Sequence, residues 1–173
     1  MIGQTTPGDD KAQITDDIME FINQGADMVV CSGGMSVDPD DRTPGGIRDT
    51  GARVVTYGAP VLPGAMLLIA YYEKEGKCIP ILGLPGCVMY AKRTVFDLVL
   101  PRIMADDEIF PEEVAAYGEG GLCLSCKVCT FPIVDLESKQ GLGRADCRRP
   151  FSNTLWKFKV FKEIYGKISN CNL

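Results

Sequence analysis

Histidine is absent from this chain, and its absence excludes several common kinds of chemistry. Histidine is the usual general base at neutral pH, a member of the usual serine triad and a frequent zinc ligand. The chain therefore has no histidine base, no serine triad of the usual form and no His-ligated zinc.

Long apolar runs and a secretory leader are also missing. No stretch approaches the roughly 18 uninterrupted apolar residues of a membrane span, and Met1 to Thr5 show no basic region followed by an apolar one. The net charge of −5 argues against a nucleic-acid partner, because such proteins usually carry a basic face. An apolar content of 46% in 173 residues is enough for a sizeable core. We expect a cytoplasmic globular protein with neither nucleic acid nor membrane as a partner.

Cysteine, in contrast, is plentiful, with eight residues in the chain. Without a secretion signal, these cysteines are better interpreted as free thiols or metal ligands than as disulfides. Cys123, Cys126 and Cys129 have the spacing C-x2-C-x2-C, which lets three thiolates converge on zinc or an iron–sulfur cluster. A fourth ligand is needed, and Cys147 is the nearest later candidate. Loop thiols without a metal are the alternative that this spacing leaves open.

The most informative stretch is the loop that follows the apolar segment Ala26 to Cys31, which we predict to be a buried strand. Gly33 and Gly34 let the backbone turn and expose N–H groups, and Ser36 adds a hydroxyl donor. Thr43-Pro44 is typical of the N-cap and first residue of a helix. Amides at a helix N-terminus favour phosphate. The loop therefore predicts an anion site.

Three carboxylates, Asp38, Asp40 and Asp41, lie inside this loop. They would repel a phosphate unless a divalent cation bridges them. The loop thus carries both halves of a metal–phosphate site. An ordinary turn from strand to helix uses the same residue types, so the loop alone leaves both interpretations open.

The flanking segments predict an α/β fold. Apolar residues of Lys11 to Gln24 recur at helical spacing and Gly25 ends the pattern. Ile2 to Thr6 is predicted as a short strand before that helix. In parallel α/β sheets, ligands bind at the carboxyl ends of strands, where the Gly33-Gly34 loop must lie. Pro44 to Thr50 is predicted as a short helix and Arg53 to Tyr57 as the next strand.

A second glycine loop follows a predicted hairpin. The apolar runs Ala65 to Tyr72 and Lys77 to Leu82 flank a charged tip, and the second run leads into Gly83-Leu84-Pro85-Gly86. The spacing of apolar residues predicts a helix over Cys87 to Met104, kinked or ended by Pro101. Cys87 at a helix N-terminus could have a thiol of low pKa, with packing as the alternative. Two glycine loops that open helices could hold one phosphorylated ligand between them.

These motifs resemble the molybdopterin-binding domain of the MoaB/Mog family, which finishes and handles the pterin of the molybdenum cofactor. That family shows a strand, a Gly-Gly loop, and an acidic residue followed by x-Thr-Pro, as found here from Gly33 to Pro44. Val61-Leu62-Pro63-Gly64 and Gly83-Leu84-Pro85-Gly86 fit two further family stretches. The resemblance covers roughly residues 2 to 110. It departs at Cys87-Val88, where many members have Asn-Pro or Ser-Pro.

The resemblance implies a three-layer α/β/α sandwich with a mostly parallel sheet and a homo-oligomer, commonly a trimer. It also implies that Asp41, supported by Asp40, is the catalytic acidic position that holds or orients Mg²⁺. The residues implied in binding the phosphorylated pterin are Gly33, Gly34, Ser36, Thr43, Pro85 and Gly86.

Two functions from different classes remain open. The first is an enzyme that adenylylates molybdopterin with Mg-ATP or helps insert molybdate. The second is a non-catalytic molybdopterin-binding or carrier module, with the cysteine run as a docking or metal-binding element. Competence-damage-like proteins that act on nucleotides are a weaker third resemblance.

The resemblance also raises expectations about both ends of the chain. Family members open with a strand and a Thr-Gly-Ser-Glu-like turn before the segment that matches Ile2, so we expect an N-terminally truncated member. Clostridial-type members continue their cysteine segment as Phe-Pro-Asn-Cys-x-Phe-Gly-Lys, which this chain follows only to Pro132. Residues 133–173 then hold 8 basic and 4 acidic residues. In one permitted coding, a single base added after the Pro132 codon restores Asn-Cys-Arg-Phe-Gly-Lys.

We therefore expect three segments. Residues 1–110 form the molybdopterin-binding domain, residues 111–132 an acidic linker with the cysteine run, and residues 133–173 a basic tail translated out of frame or disordered. A genuine basic extension that docks a partner is the alternative.

Overall fold

The structure, a computed structural model, describes residues 1–91 and 93–119. The predictions for the cysteine run (Cys123, Cys126 and Cys129) and for the basic tail lie outside the described residues. No helix within the described ranges is long and apolar enough to cross a membrane.

Four strands form one mixed sheet in the order β1-β4-β3-β2. Their bounds are Val29–Ser32 for β1, Arg53–Tyr57 for β2, Leu68–Lys74 for β3 and Lys77–Leu84 for β4. β1 and β4 are parallel, whereas the β3–β4 and β2–β3 pairs are antiparallel. The α/β class is confirmed, but a mostly parallel sheet is not. One cause is local: Glu75 and Gly76 have positive φ values of 51° and 78°, and such a two-residue turn joins antiparallel strands.

Four α-helices accompany this sheet in the described ranges. Their bounds are Lys11–Asn23 for α1, Thr43–Asp49 for α2, Phe96–Ile103 for α3 and Pro111–Ala116 for α4. Short 3-10 helices span Gly86–Met89 and Tyr117–Glu119. The helices predicted over 11–24 and 44–50 are confirmed to within one residue at each end. The strand predicted over 53–57 has the bounds expected for it.

The helices pack on both faces of the sheet. Leu68 and Ala70 of β3 join one buried cluster with side chains of α1 and α2. Ile69 and Tyr71, which alternate with them, join a second cluster with α3 and α4. Successive side chains of a strand point to opposite faces, so the central strands are covered on both sides. Full burial of each large apolar side chain contributes about 1.5–3 kcal/mol.

The strand predicted over residues 2–6 is not formed. This segment pairs with none of the four strands in the described ranges, and Ile2 is 54% exposed. Gly3 instead lies against the ring of Phe21 on α1, where an added Cβ would meet Phe21 Cε1 at 2.6 Å. A suitable composition does not make a strand without a hydrogen-bonding neighbour, and this segment has none here.

The single helix predicted over 87–104 is also wrong, because the segment contains a second helix start. The Thr94 N–H donates to Asp97 Oδ2 at 2.7 Å, and the Thr94 hydroxyl accepts from the Phe96 N–H at 3.2 Å. This reciprocal arrangement is typical of a helix N-terminus, so α3 begins at Phe96. Pro101 lies inside α3, which continues to Ile103.

Candidate functional site

Three loops leave the sheet at one edge. β1 and β4 are parallel and in register at Ser32 and Leu84, so both end there. β3 is antiparallel to β4 and begins at the same edge, where Leu68 pairs with Gly83. β2 ends there because Tyr57 pairs with Leu68. We call residues 33–42 the first loop, residues 58–67 the middle loop and residues 85–91 the third loop. The structure thus brings both predicted ligand loops to one place.

The first loop leaves β1 and extends over the sheet edge toward the end of β2. Met35 is its buried anchor, at 2% exposure, and its side chain lies over Gly83 of β4, where an added Cβ would be 2.5 Å from Met35 Cε. One residue further, the Ser36 carbonyl accepts a hydrogen bond of 2.9 Å from the Tyr57 hydroxyl. β1 and β2 are three strand spacings apart, about 14 Å. The loop therefore lies over β4 and meets the Tyr57 side chain that reaches out from β2.

Hydrogen bonds within the first loop fold Asp41 back over Ser36. The Ser36 N–H donates to Asp41 Oδ2 at 2.5 Å. The Asp38 N–H donates to the Ser36 hydroxyl oxygen at 3.2 Å, and the Asp40 N–H donates to Asp38 Oδ1 at 3.0 Å. Because the Ser36 hydroxyl acts as an acceptor in this network, its own proton can still be donated to a ligand.

The three carboxylates of the first loop do not converge. Asp40 is 95% exposed in its side chain and pairs with Arg42 at 3.8 Å. The described ranges contain no group of three or more carboxylate or thiol residues placed to hold a metal ion. The role of Asp41 as a Mg²⁺ ligand stays a prediction. Mg²⁺ commonly uses one or two carboxylates, with waters and substrate phosphates completing its shell, so a single carboxylate at this place is compatible with it.

Thr43 closes the base of the first loop. It is the first residue of α2, and that helix has no side-chain cap, so the prediction of Thr43 as N-cap is wrong. Its hydroxyl donates instead to the Gly33 carbonyl at 2.9 Å, and the residue is 8% exposed. Thr43 therefore ties the two ends of the loop together.

Gly34 is required by this closure. Its φ is +59°, and an added Cβ would lie 2.7 Å from Thr43 Oγ1. Gly33 also has a positive φ, +89°, but nothing lies within 4 Å of its added Cβ. Gly33 is therefore needed only for its backbone conformation, whereas Gly34 is needed both for its conformation and for the space beside Thr43.

We expect Gly34→Ala to destabilise the fold more than Gly33→Ala. Either change places an L residue in a left-handed conformation, at about 1–2 kcal/mol. Gly34→Ala adds the displacement of Thr43, so its total loss should be about 2–4 kcal/mol. Urea unfolding of both variants checks this prediction, and equal losses would contradict it.

The third loop offers an open glycine beside a partly exposed thiol. Gly86 has nothing within 4 Å of an added Cβ and is exposed, whereas Pro85 is buried. Desolvation raises the pKa of the Cys87 thiol, although the backbone N–H groups of Cys87 and Gly64 oppose it. The raised pKa argues against a reactive thiol at Cys87 and favours packing, the other interpretation of this residue.

The middle loop is locked against the start of α3. Gly64 has φ +110°, and an added Cβ would meet Val95 Cγ1 at 2.8 Å and the Val95 N atom at 3.1 Å. The Val95 N–H donates to the Pro63 carbonyl at 3.1 Å. The middle loop is therefore fixed to the start of α3.

Several large apolar side chains on and beside these loops are exposed. Five of the exposed large apolar side chains in the described ranges lie on the three loops or on the last residue of β2: Val37, Tyr57, Leu62, Met89 and Tyr90. Exposed apolar side chains beside polar loops suit a ligand that combines a planar ring with a charged group.

Two residues that shape the site were not predicted from the sequence, namely Met35 and Tyr57. Both act between segments that are distant in the chain. Tyr57 was correctly predicted as the last residue of a strand, and this position was the one sequence signal that could have pointed to a role at the site. Its proximity to Ser36 depends on the direction of β2, which no local pattern reports.

Comparison with protein families matches residues 1–105 to a family described as a probable molybdopterin binding domain. The matched range includes all four strands and all three loops. No curated protein matches the chain.

Proposed function

The chain belongs to the family of molybdopterin binding domains, and from this premise we propose that its site adenylylates molybdopterin with Mg-ATP or helps insert molybdate. Membership in the family supports a molybdopterin-binding role in molybdenum cofactor biosynthesis. The observation that carries the proposal is the convergence of the first and third loops at one sheet edge. Asp41 and the Ser36 hydroxyl lie in the first of these loops, and Gly86 lies in the other.

The first loop supplies donors for a phosphate. The amides of Gly34 and Val37 donate no hydrogen bond to any of the described residues. The Ser36 proton adds a third donor, and exposed Gly86 lets the third loop approach a ligand closely. These groups bind anions without a positively charged side chain, as backbone amides do in other phosphate sites.

Asp41 would hold Mg²⁺ through the carboxylate oxygen that does not accept from Ser36, with Asp40 in support. When bound, Mg²⁺ neutralises phosphate charge. In adenylylation, a phosphate oxygen of molybdopterin forms a bond to the α-phosphorus of ATP as the bond to pyrophosphate breaks. Such transfers depend on positioning and charge stabilisation more than on a strong base. A chain without histidine is therefore compatible with this chemistry.

The second candidate is a carrier that binds molybdopterin without turnover. It is favoured by one observation: the Asp41 carboxylate already accepts the Ser36 N–H, while Asp40 points toward solvent beside Arg42. Carboxylates that accept hydrogen bonds from the loop's own backbone stabilise the loop, and such a loop needs no metal to bind a pterin.

On the family resemblance we also propose a homo-trimer and a three-layer α/β/α domain over residues 1–110. Within residues 111–132 the acidic linker would follow α4, because Val114 of that helix is buried in the domain core, and residues 133–173 would be a frame-shifted tail. The cysteine run, outside the described residues, would bind zinc or an iron–sulfur cluster.

We expect the full chain to bind molybdopterin. A ligand at 100 times its Kd adds about 2.7 kcal/mol to the free energy of unfolding, which a thermal melt detects. Release of pyrophosphate only when Mg²⁺ and ATP are both added supports the enzyme. Binding without pyrophosphate supports the carrier, and a melting temperature unchanged by pterin and by nucleotide overturns both.

A further inference from the structure

Ser36 is held on both sides of its Cα atom. Its N–H donates to Asp41 Oδ2 at 2.5 Å, from within the first loop. Its carbonyl accepts from the Tyr57 hydroxyl at 2.9 Å, from the end of β2. The first bond is local in sequence, whereas the second joins residues 21 positions apart. Ser36 is therefore the point at which the loop is tied to the sheet.

Tyr57 is the external support of the exposed part of this loop. Within the described ranges, its hydroxyl makes the one side-chain hydrogen bond that reaches residues 34–42 from outside the loop. Residues 37–40 beyond it are exposed, and Val37 is 83% exposed. Met35 anchors the loop through packing, but packing of a flexible side chain does not fix the orientation of the next peptide.

The phenol of Tyr57 and the carboxylate of Asp41 lie close together. Burial and the nearby charge of Asp41 both raise the pKa of Tyr57. A phenol is protonated at neutral pH without any such shift, so the hydroxyl remains a donor to Ser36. Ser36, Asp41 and Tyr57 therefore lie together in the proposed site, although Tyr57 does not belong to the first loop.

We propose that Tyr57 is a positioning residue of the molybdopterin site, which fixes the Ser36 peptide so that the Ser36 hydroxyl and the Asp41 carboxylate face the ligand together. This inference rests on the proposed function. Tyr57 acts through Ser36. Loss of its hydroxyl leaves the donors and the carboxylate present but less ordered, and the ligand must then order them when it binds.

Tyr57→Phe tests the proposal because it removes the hydroxyl and keeps the ring. A matched control is Tyr72→Phe, since Tyr72 lies on β3 away from the loops, and its hydroxyl makes no hydrogen bond to any described residue. Two readouts are needed: hydrogen exchange of the Ser36 amide without ligand, and the Kd for molybdopterin.

We expect Tyr57→Phe to accelerate exchange of the Ser36 amide about three- to tenfold and to raise the Kd by a similar factor, as for the loss of one hydrogen bond. Tyr72→Phe should change neither quantity. In an Asp41→Asn background, Tyr57→Phe should raise the Kd by less, because residues that act through one another are not additive. A purely structural role would lower the melting temperature without this coupling.

Unchanged Ser36 exchange in Tyr57→Phe would overturn the proposal whether or not the pterin binds. Faster exchange with an unchanged Kd would overturn the role of Tyr57 in binding. Failure of the wild-type chain to bind molybdopterin would overturn the proposed function and this role with it, and the exchange readout would separately establish the Tyr57 contact.

Discussion

Asp41→Asn should weaken molybdopterin binding in the presence of Mg²⁺ by about 10- to 100-fold, the range found when groups that support a metal are changed. The Asn side chain keeps an oxygen that can accept the Ser36 N–H, so the loop can keep its hydrogen bond. The negative charge is lost. Because a divalent cation is held by charge and by carboxylate oxygens, the variant should lose Mg²⁺ affinity while its fold persists.

Asp38→Asn is the matched control, since it removes the same charge from the same loop. Asp38 Oδ1 accepts the Asp40 N–H, which an Asn oxygen can also do. Titration of both variants with molybdopterin, with and without Mg²⁺, separates a specific effect from a general one. An equal loss in the two variants, or a loss in Asp41→Asn that is the same without Mg²⁺, would contradict a metal role for Asp41.

Gly64→Ala should destabilise the protein by about 2–5 kcal/mol, from a left-handed conformation and an overpacked contact. The φ of +110° is unfavourable for any L side chain. The methyl group would also press on Val95, which is 0% exposed and whose backbone N lies 3.1 Å from the added Cβ. A backbone atom in a filled core cannot move as a flexible side chain can.

Gly76→Ala isolates the packing part of this effect. Gly76 has φ +78°, but nothing lies within 4 Å of an added Cβ, so its loss should be about 1–2 kcal/mol. Urea unfolding of the two variants measures the difference. A Gly64→Ala loss no larger than that of Gly76→Ala would show that Val95 does not constrain the middle loop.

Local signals in the sequence were enough for most of the elements. α1 was predictable because Ile14, Ile18 and Ile22 recur on one helical face and are buried, and because Gly25 follows the helix with φ +91°. The β3–β4 hairpin was predictable because its charged turn and the two apolar runs that flank it lie next to each other in the chain. In each case the deciding interactions join residues that are close in sequence.

Predictions failed where a distant partner or a competing local signal decided the outcome. Residues 2–6 have the composition of a strand, but no described strand lies beside them. Residues 87–104 have helical spacing, but Thr94 and Asp97 start a new helix within them. Periodicity reports which face of an element is apolar and does not report where a cap interrupts it.

The features of the candidate site also fall into two groups, those set by local sequence and those set by contacts between distant residues. The sequence by itself determined that Gly33, Gly34, Ser36 and Asp41 share one loop after a strand, because glycine conformation and polar loop chemistry are local properties. Only the tertiary structure decided that Tyr57 supports Ser36, that Met35 lies over Gly83, and that Thr43 binds the Gly33 carbonyl instead of capping α2. These contacts depend on the order and direction of strands in the sheet. That order is set by pairing between residues far apart in the chain, and no short pattern encodes it.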